Sequence, residues 1–378
     1  VLRRMRWWLV WTVQGHADVG ICAEGPAGRL SPGSIETIRA FVADPLGGDV
    51  VVYAPRPVEM SAEEALAVVE GLQPIATADV SVDLSPEEVV HLFESDTDNP
   101  EYWRGANSDL VVGKSKKLSP GLWNLWAKRV CHRMLLELER QRGAPYDWVV
   151  YTRLDLQWMA AHPPLSLMDR GRLWVPDGQD WSGLNDRHAV VPRHLMDMYF
   201  LRWHFLANGT AQRLLGEHAD DSALGINPER LLLLAVRHAQ APIGRFLPVA
   251  AIRCCTESPQ CKNKRCLPPG FRYGIEFLDA NNVAVRLGEG WSWTVASKRS
   301  QAPGRRYDQS CWTGEFTAEL CCDEHTWGPG GRHSCFDDTL FSFPLCCMDS
   351  KMLTIVPGGA AGDRCWKVSD NLMSCVDV

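Results

Sequence analysis

The sequence predicts an α/β fold in which a mostly parallel sheet is flanked by helices, followed by a small disulfide-rich C-terminal module. Short apolar runs alternate with helix-like stretches through about the first 250 residues, a pattern typical of parallel sheets. Most of the 14 cysteines follow residue 253. The 378 residues are 46% hydrophobic and 22% charged, globular proportions that suffice for two or three domains. We therefore expect an α/β domain at 1–252, a cysteine-containing linker at 253–310 and a cysteine-rich repeat module at 311–378.

The first third of the chain contains strand and helix patterns in alternation. Residues 7–13 are a continuous apolar run, which predicts a buried strand. A helix is predicted to begin at Ser34 as its N-cap, and residues 49–54 predict the next strand. Ser61 opens a capping box, which predicts a second helix. The polar residues 95–117 predict a surface loop.

The alternation continues to about residue 240. Apolar residues recur every four positions between 122 and 138, forming one face of a long helix. Residues 147–152 and 172–176 predict further strands, and a helix is predicted after Pro192. Asn227, with a proline after it, is predicted to cap the last helix. Ligands of such sheets bind beyond the carboxyl ends of the strands, so binding residues are expected there.

The cysteine-rich tail contains an internal repeat. Residues 311–322 and 335–347 each place a cysteine and an aromatic residue about ten positions before a Cys-Cys pair. Units this short need cross-links to be stable. Disulfides are favoured over zinc because the spaced cysteine pairs of zinc sites are missing. Disulfides imply a secretory or extracellular compartment, with which the glycosylation triplet at Asn208 is consistent.

Charge and motif content argue against several classes of protein. A net charge of −7 and a pI near 5.9 argue against a nucleic-acid partner. No apolar run reaches the ~18–20 residues that span a bilayer, so contact with a membrane is expected only through an anchor upstream of Val1. The absence of HExxH, GxSxG, P-loop and GxGxxG motifs argues against zinc proteases, α/β-hydrolases, P-loop enzymes and dinucleotide oxidoreductases.

The strongest candidate site follows the strand predicted at 147–152. Arg153 and Asp155 stand at its carboxyl end, separated by one residue. A carboxylate there suits a divalent cation that bridges two phosphates, and an arginine suits the remaining negative charge. Gly15 and His16, after the first predicted strand, are expected to approach a nucleotide. The structural alternative is an Arg–Asp pair that only closes a turn.

A second candidate is the polar loop 180–187. Asp186 suits a base that takes a proton from a sugar hydroxyl. Gly183, Asn185 and Arg187 suit binding of an acceptor hydroxyl or a phosphate. The structural alternative is an Asx-type turn.

Glu229 is a reserve candidate for the base. It lies in the first turn of the last predicted helix, where a carboxylate also has the purely structural role of stabilising the helix dipole. The functional interpretation of both candidates requires Asp155 to border the same cavity as Asn185 and Asp186.

Two segments carry a resemblance to a known family. YDWVVYTRLDLQW (146–158) and DWSGLNDRHAV (180–190) stand in the same order, at similar separation, as in a group of algal and plant glycosyltransferases related to bacterial surface-polysaccharide transferases. The resemblance covers about residues 7–250. It implies a GT-A-like fold that transfers a sugar from a nucleotide-diphospho-sugar. The tail resembles cysteine-rich repeats of algal extracellular and secretory proteins.

The resemblance also implies roles for individual residues. Asp155 is implied as the residue that binds Mn²⁺ or Mg²⁺ and the diphosphate, with Arg153 beside it. Asn185 and Asp186 are implied on the acceptor side. Many GT-A enzymes have an Asp-x-Asp motif, whereas the first position here is Arg153, which puts metal dependence in question.

The sequence therefore predicts a glycosyltransferase of the secretory pathway, in the Golgi lumen, or of the extracellular space. Its partners would be a nucleotide-sugar donor and a glycan or protein acceptor. One alternative is a non-catalytic secreted protein that binds glycans or proteins through a decayed transferase fold. Another is an intracellular adaptor stabilised by zinc.

Overall fold

The computed structural model describes residues 18–73, 77–97, 120–181, 183–216, 227–253, 270–296, 317–322, 333–335, 350–357, 366–369 and 372–374. The described strands are β1 Val19–Glu24, β2 Asp49–Tyr53, β3 Thr77–Asp79, β4 Trp148–Arg153, β5 Leu156–Trp158, β6 Leu173–Pro176, β7 His188–Pro192, β8 Ile243–Phe246, β9 Ala250–Ile252, β10 Trp291–Ala296, β11 Ser350–Pro357, β12 Trp366–Ser369 and β13 Leu372–Ser374. The described α-helices are α1 Pro32–Ile38, α2 Asp44–Leu46, α3 Ala62–Val69, α4 Pro86–Asp96, α5 Pro120–Arg142, α6 Met196–Phe200, α7 Arg202–Ala207, α8 Thr210–Gly216, α9 Pro228–His238, α10 Gly274–Gly288 and α11 Ala318–Cys321.

The main sheet has nine strands in the order β10-β11-β8-β6-β7-β4-β1-β2-β3. Strands β4, β1, β2 and β3 are parallel neighbours, and β6, β8 and β11 form a second parallel set. Strand β7 joins the two sets and is antiparallel to both β4 and β6, and β10 is antiparallel to β11 at the edge. The prediction of an α/β fold with a mostly parallel sheet is confirmed.

Both faces of the sheet are covered, as parallel sheets require. On one face, Ile21 and Ala23 of β1 pack in a core with α1 and α3. On the other face, Cys22 packs in a core with the apolar face of α5. The long helix predicted from the four-residue spacing is confirmed in α5, where Val130 and Met134 are buried.

Strand β1 is an internal strand that the sequence patterns did not predict. Its sequence, VGICAE, is buried throughout but has no β-branched run. Gly20 is required because a Cβ there would lie 2.7 Å from the ring of Tyr146. The strand predicted at 7–13 lies outside the described residues, as do Gly15 and His16.

Two of the predicted helix starts are confirmed, and one is wrong. The N-cap at Ser34 is wrong: α1 begins at Pro32, and the side chain of Ser31 accepts a hydrogen bond from the Ser34 backbone N–H. The capping box at Ser61 and the N-cap at Asn227 are confirmed. Within the predicted loop 95–117, α4 extends to Asp96, and residues 98–119 lie outside the described ranges.

Disulfides join the described cysteines. Cys22 of β1 bonds to Cys131 of α5 across a separation of 109 residues, and Cys321 bonds to Cys335. No cysteine in the described part of the chain is free, so the expectation of disulfides is confirmed there. Most of the predicted cysteine repeat lies outside the described residues.

Two strands beyond residue 252 belong to the main sheet. Strand β11 pairs with β8 in parallel, and β10 pairs with β11. The core of the sheet therefore takes in chain from beyond the expected α/β domain, and the domain boundaries at 252 and 310 stay a prediction. No helix among the described residues is long and apolar enough to cross a membrane.

Candidate functional site

The candidate site lies where the parallel strands β1 and β4 end. Glu24 and Arg153 are register partners at the carboxyl ends of these strands. The backbone N–H of Leu154 donates to the Glu24 carbonyl at 2.7 Å, and the Arg153 N–H donates to the Arg187 carbonyl at 3.2 Å. Three segments that are far apart in sequence thus meet at one edge of the sheet. This edge is where ligands bind in sheets of this type.

Arg153 and Asp155 form a bidentate ion pair, which we call the rim pair. Arg153 Nε donates to Asp155 Oδ1 at 2.9 Å, and Nη2 donates to Oδ2 at 2.5 Å. The two side chains are 24% and 28% exposed. Burial alone would raise the pKa of Asp155, but the charge and hydrogen bonds of Arg153, helped by Arg187, hold that pKa below its usual value. The rim pair is therefore ionised at neutral pH and open to a ligand.

As arranged, the residues around Asp155 do not fit a divalent cation. Both carboxylate oxygens accept hydrogen bonds from Arg153, and a cation would have to displace that guanidinium. Within the described ranges, no group of three or more histidine, cysteine, aspartate or glutamate side chains is placed to hold a metal ion. A metal role for Asp155 stays a prediction.

Asp186 lies in a group of charges that is closed to solvent. Its Oδ2 is 3.3 Å from Lys128 Nζ and 3.4 Å from Arg202 Nη2, and all three side chains are at most 5% exposed. Burial raises the pKa of Asp186, but the charges of Lys128 and Arg202 outweigh burial and lower it. Asp186 is therefore a fixed anion with two cationic partners, an environment that disfavours proton uptake.

The same group continues to β1. Lys128 Nζ donates to the Tyr151 hydroxyl at 3.1 Å, and that hydroxyl donates to the Glu24 carboxylate. Glu24 is 2% exposed, and burial raises its pKa despite the nearby charge of Lys128. We call Glu24, Lys128, Tyr151, Asp186 and Arg202 the buried network.

Sequence reasoning missed Glu24, Lys128 and Arg202. Lys128 carried a signal, because it stands three positions from both Leu125 and Cys131 on the apolar face of a helix. A charged residue on such a face is rarely buried unless it is paired. Glu24 ends an apolar strand, and its hydrogen-bond partner Tyr151 stands 127 positions away in the sequence, so no local pattern could identify the contact.

Glu229 lies in the first turn of α9, against the loop that carries Asp186. The Leu184 N–H donates to the Glu229 carbonyl at 3.0 Å. Gly183 is required at this contact because a Cβ would lie 2.1 Å from the Glu229 backbone. Burial, and then the negative charge of Asp186, raise the pKa of Glu229 to about 7. Of the two predicted bases, Glu229 is the one whose pKa suits proton transfer at neutral pH.

Asn185 is used to shape its own loop. Its Nδ2 donates to the Gly178 carbonyl at 2.9 Å, and its Oδ1 accepts from the Arg187 N–H at 3.2 Å. Its backbone N–H donates to Asp180, which forms a bidentate pair with Arg245. These contacts fit the structural alternative of an Asx-type turn.

Arg187 is buried and paired with a residue that the sequence did not single out. Its Nη1 donates to Glu276 Oε1 at 2.7 Å, and its guanidinium lies 4.8 Å from the ring centre of Tyr273. Burial raises the pKa of Glu276, and the charge of Arg187 opposes this. The acceptor-binding roles of Gly183, Asn185 and Arg187 stay predictions.

A small open pocket borders this edge of the sheet, and its free volume, including its mouth, is about 320 Å³. Asn185, Arg187 and Glu276 line it together with aromatic and aliphatic side chains. Asp155 and Asp186 are not among its lining residues, although the chain neighbours Leu156 and Arg187 are. The expected common cavity is therefore bordered by neighbours of the two acids rather than by the acids themselves.

Residues 123–214, about a quarter of the chain, match a family model described as a domain of unknown function (DUF7796). No curated protein matches the sequence. Mouse xyloside xylosyltransferase 1, in its apo form, is a similar solved structure: identity is 12%, the match covers 59% of this chain and 82% of that one, and the TM-score is 0.32.

Core-mannan synthase A from Aspergillus fumigatus, solved in a Mn/GDP form, is also similar. Identity is 9%, the match covers 74% of this chain and 88% of that one, and the TM-score is 0.37. At such identities and TM-scores the likeness concerns only the general arrangement of helices and strands.

Proposed function

We propose that the protein is a glycosyltransferase that moves a sugar from a nucleotide-diphospho-sugar to a hydroxyl of a glycan or protein. One observation carries the proposal. The charge of the Arg153 guanidinium favours the ionised forms of Asp155, Asp186, Glu229 and Glu276, so these four acids lie near one partly exposed cation. A partly exposed cation among acids of different pKa values suits a reaction that needs both charge neutralisation and a base.

Arg153 would bind the donor diphosphate. Its Nε and Nη2 are held by Asp155, which fixes the plane of the guanidinium and leaves Nη1 for a phosphate oxygen. Arginine is well suited to phosphate because its donors are planar and always charged. When the bond between the sugar and the phosphate breaks, the leaving diphosphate takes the electron pair, and a fixed cation there stabilises the developing charge.

Glu229 would take the proton of the acceptor hydroxyl as its oxygen bonds to the sugar carbon. Its raised pKa of about 7 places it near the pH at which a base works best. Asp186 would act on Glu229 as a positioning residue, because its fixed negative charge contributes to that raised pKa. Glu229 thus takes the role of base, for which the sequence analysis had Asp186 as the first candidate and Glu229 as the reserve.

The proposal includes a secretory or extracellular location. It is supported by the Cys22–Cys131 and Cys321–Cys335 disulfides, since such bonds persist mainly in oxidising compartments. The alternative of a secreted, non-catalytic binding protein expects Asp155 and Asp186 to lie far apart or to face away from any pocket. The charge of Arg153 acts on both acids, so they are not far apart, which supports the transferase. Neither acid lines the pocket, which is the part of the alternative's expectation that the described residues meet.

The test is a thermal-shift and donor-hydrolysis screen of the full chain with UDP- and GDP-sugars, with and without Mn²⁺. We expect a donor to raise the melting temperature of the wild type, and Asp155→Ala to lose that shift. Asp44→Ala, at an exposed position in a weak pair, is the matched control and should respond like the wild type. No shift and no hydrolysis with any donor, with or without Mn²⁺, would favour the non-catalytic alternative.

A further inference from the structure

We propose that the exposed ring of Trp181 is a stacking platform for a sugar ring of the acceptor, so that the acceptor is a glycan rather than a protein. The inference deepens the proposed function and rests on it only for the role of that sugar as acceptor. Trp181 lies in the polar loop 180–187, and the proposed transfer does not otherwise use it.

Trp181 stands in a tight turn whose two ends are fixed. The Gly183 N–H donates to the Asp180 carbonyl at 2.8 Å and closes the turn. At one end, Asp180 is buried and held by its bidentate pair with Arg245. At the other end, Gly183 packs directly on the backbone of Glu229. The turn therefore holds Trp181 in a defined place beside the helix that carries the proposed base.

The backbone of Trp181 is strained. Its φ is 45°, in the left-handed region that favours glycine. Other residues keep such angles where the surrounding structure imposes them, and they cluster at ligand sites. The side chain of Asn227 helps to hold this one: its Nδ2 donates to the Trp181 carbonyl at 2.7 Å, while its Oδ1 caps α9 by accepting from the Arg230 N–H. One residue thus positions both Trp181 and the start of α9.

The side chain of Trp181 is presented to solvent. It is 40% exposed, more than any other tryptophan, tyrosine or phenylalanine side chain that the structure describes. Its ring meets that of Tyr273, with the ring centres 5.9 Å apart and the planes inclined by 49°. The protein thus supports part of the indole and leaves the rest open. Covering that open apolar surface with a ligand is favourable because it is removed from water.

Tyr273 connects the platform to the rim pair. The guanidinium carbons of Arg187 and Arg272 lie 4.8 and 5.3 Å from its ring centre. Burial raises the pKa of Asp155, and the charges of Arg153 and, less strongly, Arg272 lower it. The ring that contacts Trp181 therefore belongs to the same charged edge of the sheet as the proposed diphosphate site.

The surroundings of the indole favour a neutral sugar. The face of an aromatic ring is negative, so it attracts the C–H groups on the apolar face of a sugar while the hydroxyls stay in water. A cation is also attracted to such a face, but Arg187 and Arg272 already lie by the adjoining Tyr273 ring and would repel it. A peptide side chain would favour a pocket, and Trp181 is not among the residues that line the pocket beside Arg187.

The position of Trp181 relative to Glu229 assigns the sugar to the acceptor. The acceptor hydroxyl has to reach Glu229, and the turn that carries Trp181 packs on the backbone of that residue. Arg153, the proposed diphosphate residue, is linked to the platform less directly, through the Arg187 carbonyl and then the Tyr273 ring. A ring over Trp181 is therefore placed for the acceptor rather than for the nucleobase.

The test is saturation-transfer NMR on the full chain, with dissociation constants obtained by titration. The probes are the methyl glycosides of glucose, mannose, galactose and xylose, a short peptide of alanine, serine and threonine, and UDP and GDP. We expect at least one glycoside to bind, with the strongest saturation on the C–H protons of one ring face. Trp181→Ala should bind it at least tenfold more weakly, and Trp181→Phe, which keeps a flat ring, should lose less.

The matched control is Val58→Ala. Val58 is an apolar side chain that is 78% exposed in another part of the chain, so its removal tests the general effect of losing exposed apolar surface. We expect wild-type affinity for the glycoside in this variant.

A second variant keeps the proposal testable if alanine disturbs the turn. Trp181→Gly suits a φ of 45°, so we expect wild-type circular dichroism and, again, at least tenfold weaker glycoside binding. Binding of no glycoside, equal affinity in both variants and the wild type, or binding of the peptide alone would overturn the inference. Loss of UDP or GDP binding in these variants with unchanged glycoside binding would also overturn it, because the ring would then serve the nucleobase.

Failure of the inference and failure of the transferase are distinguishable. Binding of UDP- or GDP-sugars by the wild type without any glycoside signal would reject the platform and keep the transferase. Glycoside binding that depends on Trp181, without any response to nucleotide sugars, would keep the sugar platform and reject the transferase.

Discussion

Asp155 of the rim pair and Asp186 of the buried network look alike by charge but differ in access. Both have pKa values held below the usual value by cationic partners, against the effect of burial. Asp155 is 28% exposed, whereas Asp186 is 5% exposed between Lys128 and Arg202. A ligand reaches the first without disturbing the core, but reaches the second only by opening it. Exposure, rather than ionisation, therefore distinguishes Asp155, which we propose faces a ligand, from Asp186, which is enclosed.

The largest effect is expected where the buried network is broken. Lys128→Met removes the cation that lies against both Asp186 and Tyr151. It leaves Asp186 with Arg202 as its remaining cationic partner in the buried network, and it takes away the positive charge that opposes the effect of burial on Glu24. Removal of one member of a buried ion pair costs about 3–5 kcal/mol, a large part of the stability of a typical domain. We expect that loss in the free energy of unfolding, measured by urea denaturation.

Arg140→Met is the control for Lys128→Met on the same helix. Arg140 is 72% exposed and pairs with Glu137 at the surface, so we expect no measurable change in unfolding. An equal decrease in the free energy of unfolding for the two variants would show that the buried network stabilises the fold no more than a surface ion pair does.

The next effect concerns Glu229 as the base. Glu229→Gln cannot accept a proton, and we expect transfer to fall by about 100-fold or more. With a pKa of about 7, the wild-type base is protonated below that pH. We therefore expect kcat/KM to rise with pH up to about 7 and then to level off, and the variant to lack this limb. A wild-type profile that is flat between pH 5 and 8 would contradict this role.

Glu229 also predicts a pH effect on stability. Its pKa in the folded state lies above the ordinary value of 4.5, so the folded chain holds the proton more tightly than the unfolded chain. The stabilising contribution is fully present below pH 4.5 and is lost as the pH rises to about 7. We expect Glu229→Gln to flatten the pH dependence of unfolding in that window, measured by thermal denaturation at fixed ionic strength.

A smaller effect is expected at the rim. Arg153→Met breaks a pair that is partly open to solvent, so we expect about 1 kcal/mol or less in unfolding. Donor binding should weaken at least tenfold because the diphosphate loses its cation, and calorimetric titration with UDP would measure it. A large loss of stability in Arg153→Met together with normal UDP binding would contradict this, because the rim pair would then have a structural role rather than a binding role.

Local sequence patterns predicted part of this site. Arg153 and Asp155 were found because a β-branched run shows where a strand ends. Glu229 was found because Asn227 marks the start of a helix. Strand β1 was not predicted because it contains Gly20, which has low strand propensity. Glycine is needed there because the Tyr146 ring leaves no room for a side chain.

The partnerships between these segments could not be predicted. Glu24 meets Tyr151 only because β1 pairs with β4 in a particular register. Lys128 reaches the same place from a helix that lies across the sheet. The pairing of Arg187 with Glu276 depends on α10, whose position no pattern near residue 187 encodes.

The bond between Cys22 and Cys131 places a covalent tie within three residues of two members of the buried network, since Glu24 follows one cysteine and Lys128 precedes the other. In the chain-entropy account, closing a loop of about 100 residues disfavours the denatured chain by about 4.7 kcal/mol. A copy that matures in a reducing environment would have to bring strand and helix together without that help. Oxidation during biosynthesis would then act, in effect, as an assembly step for the charged interior.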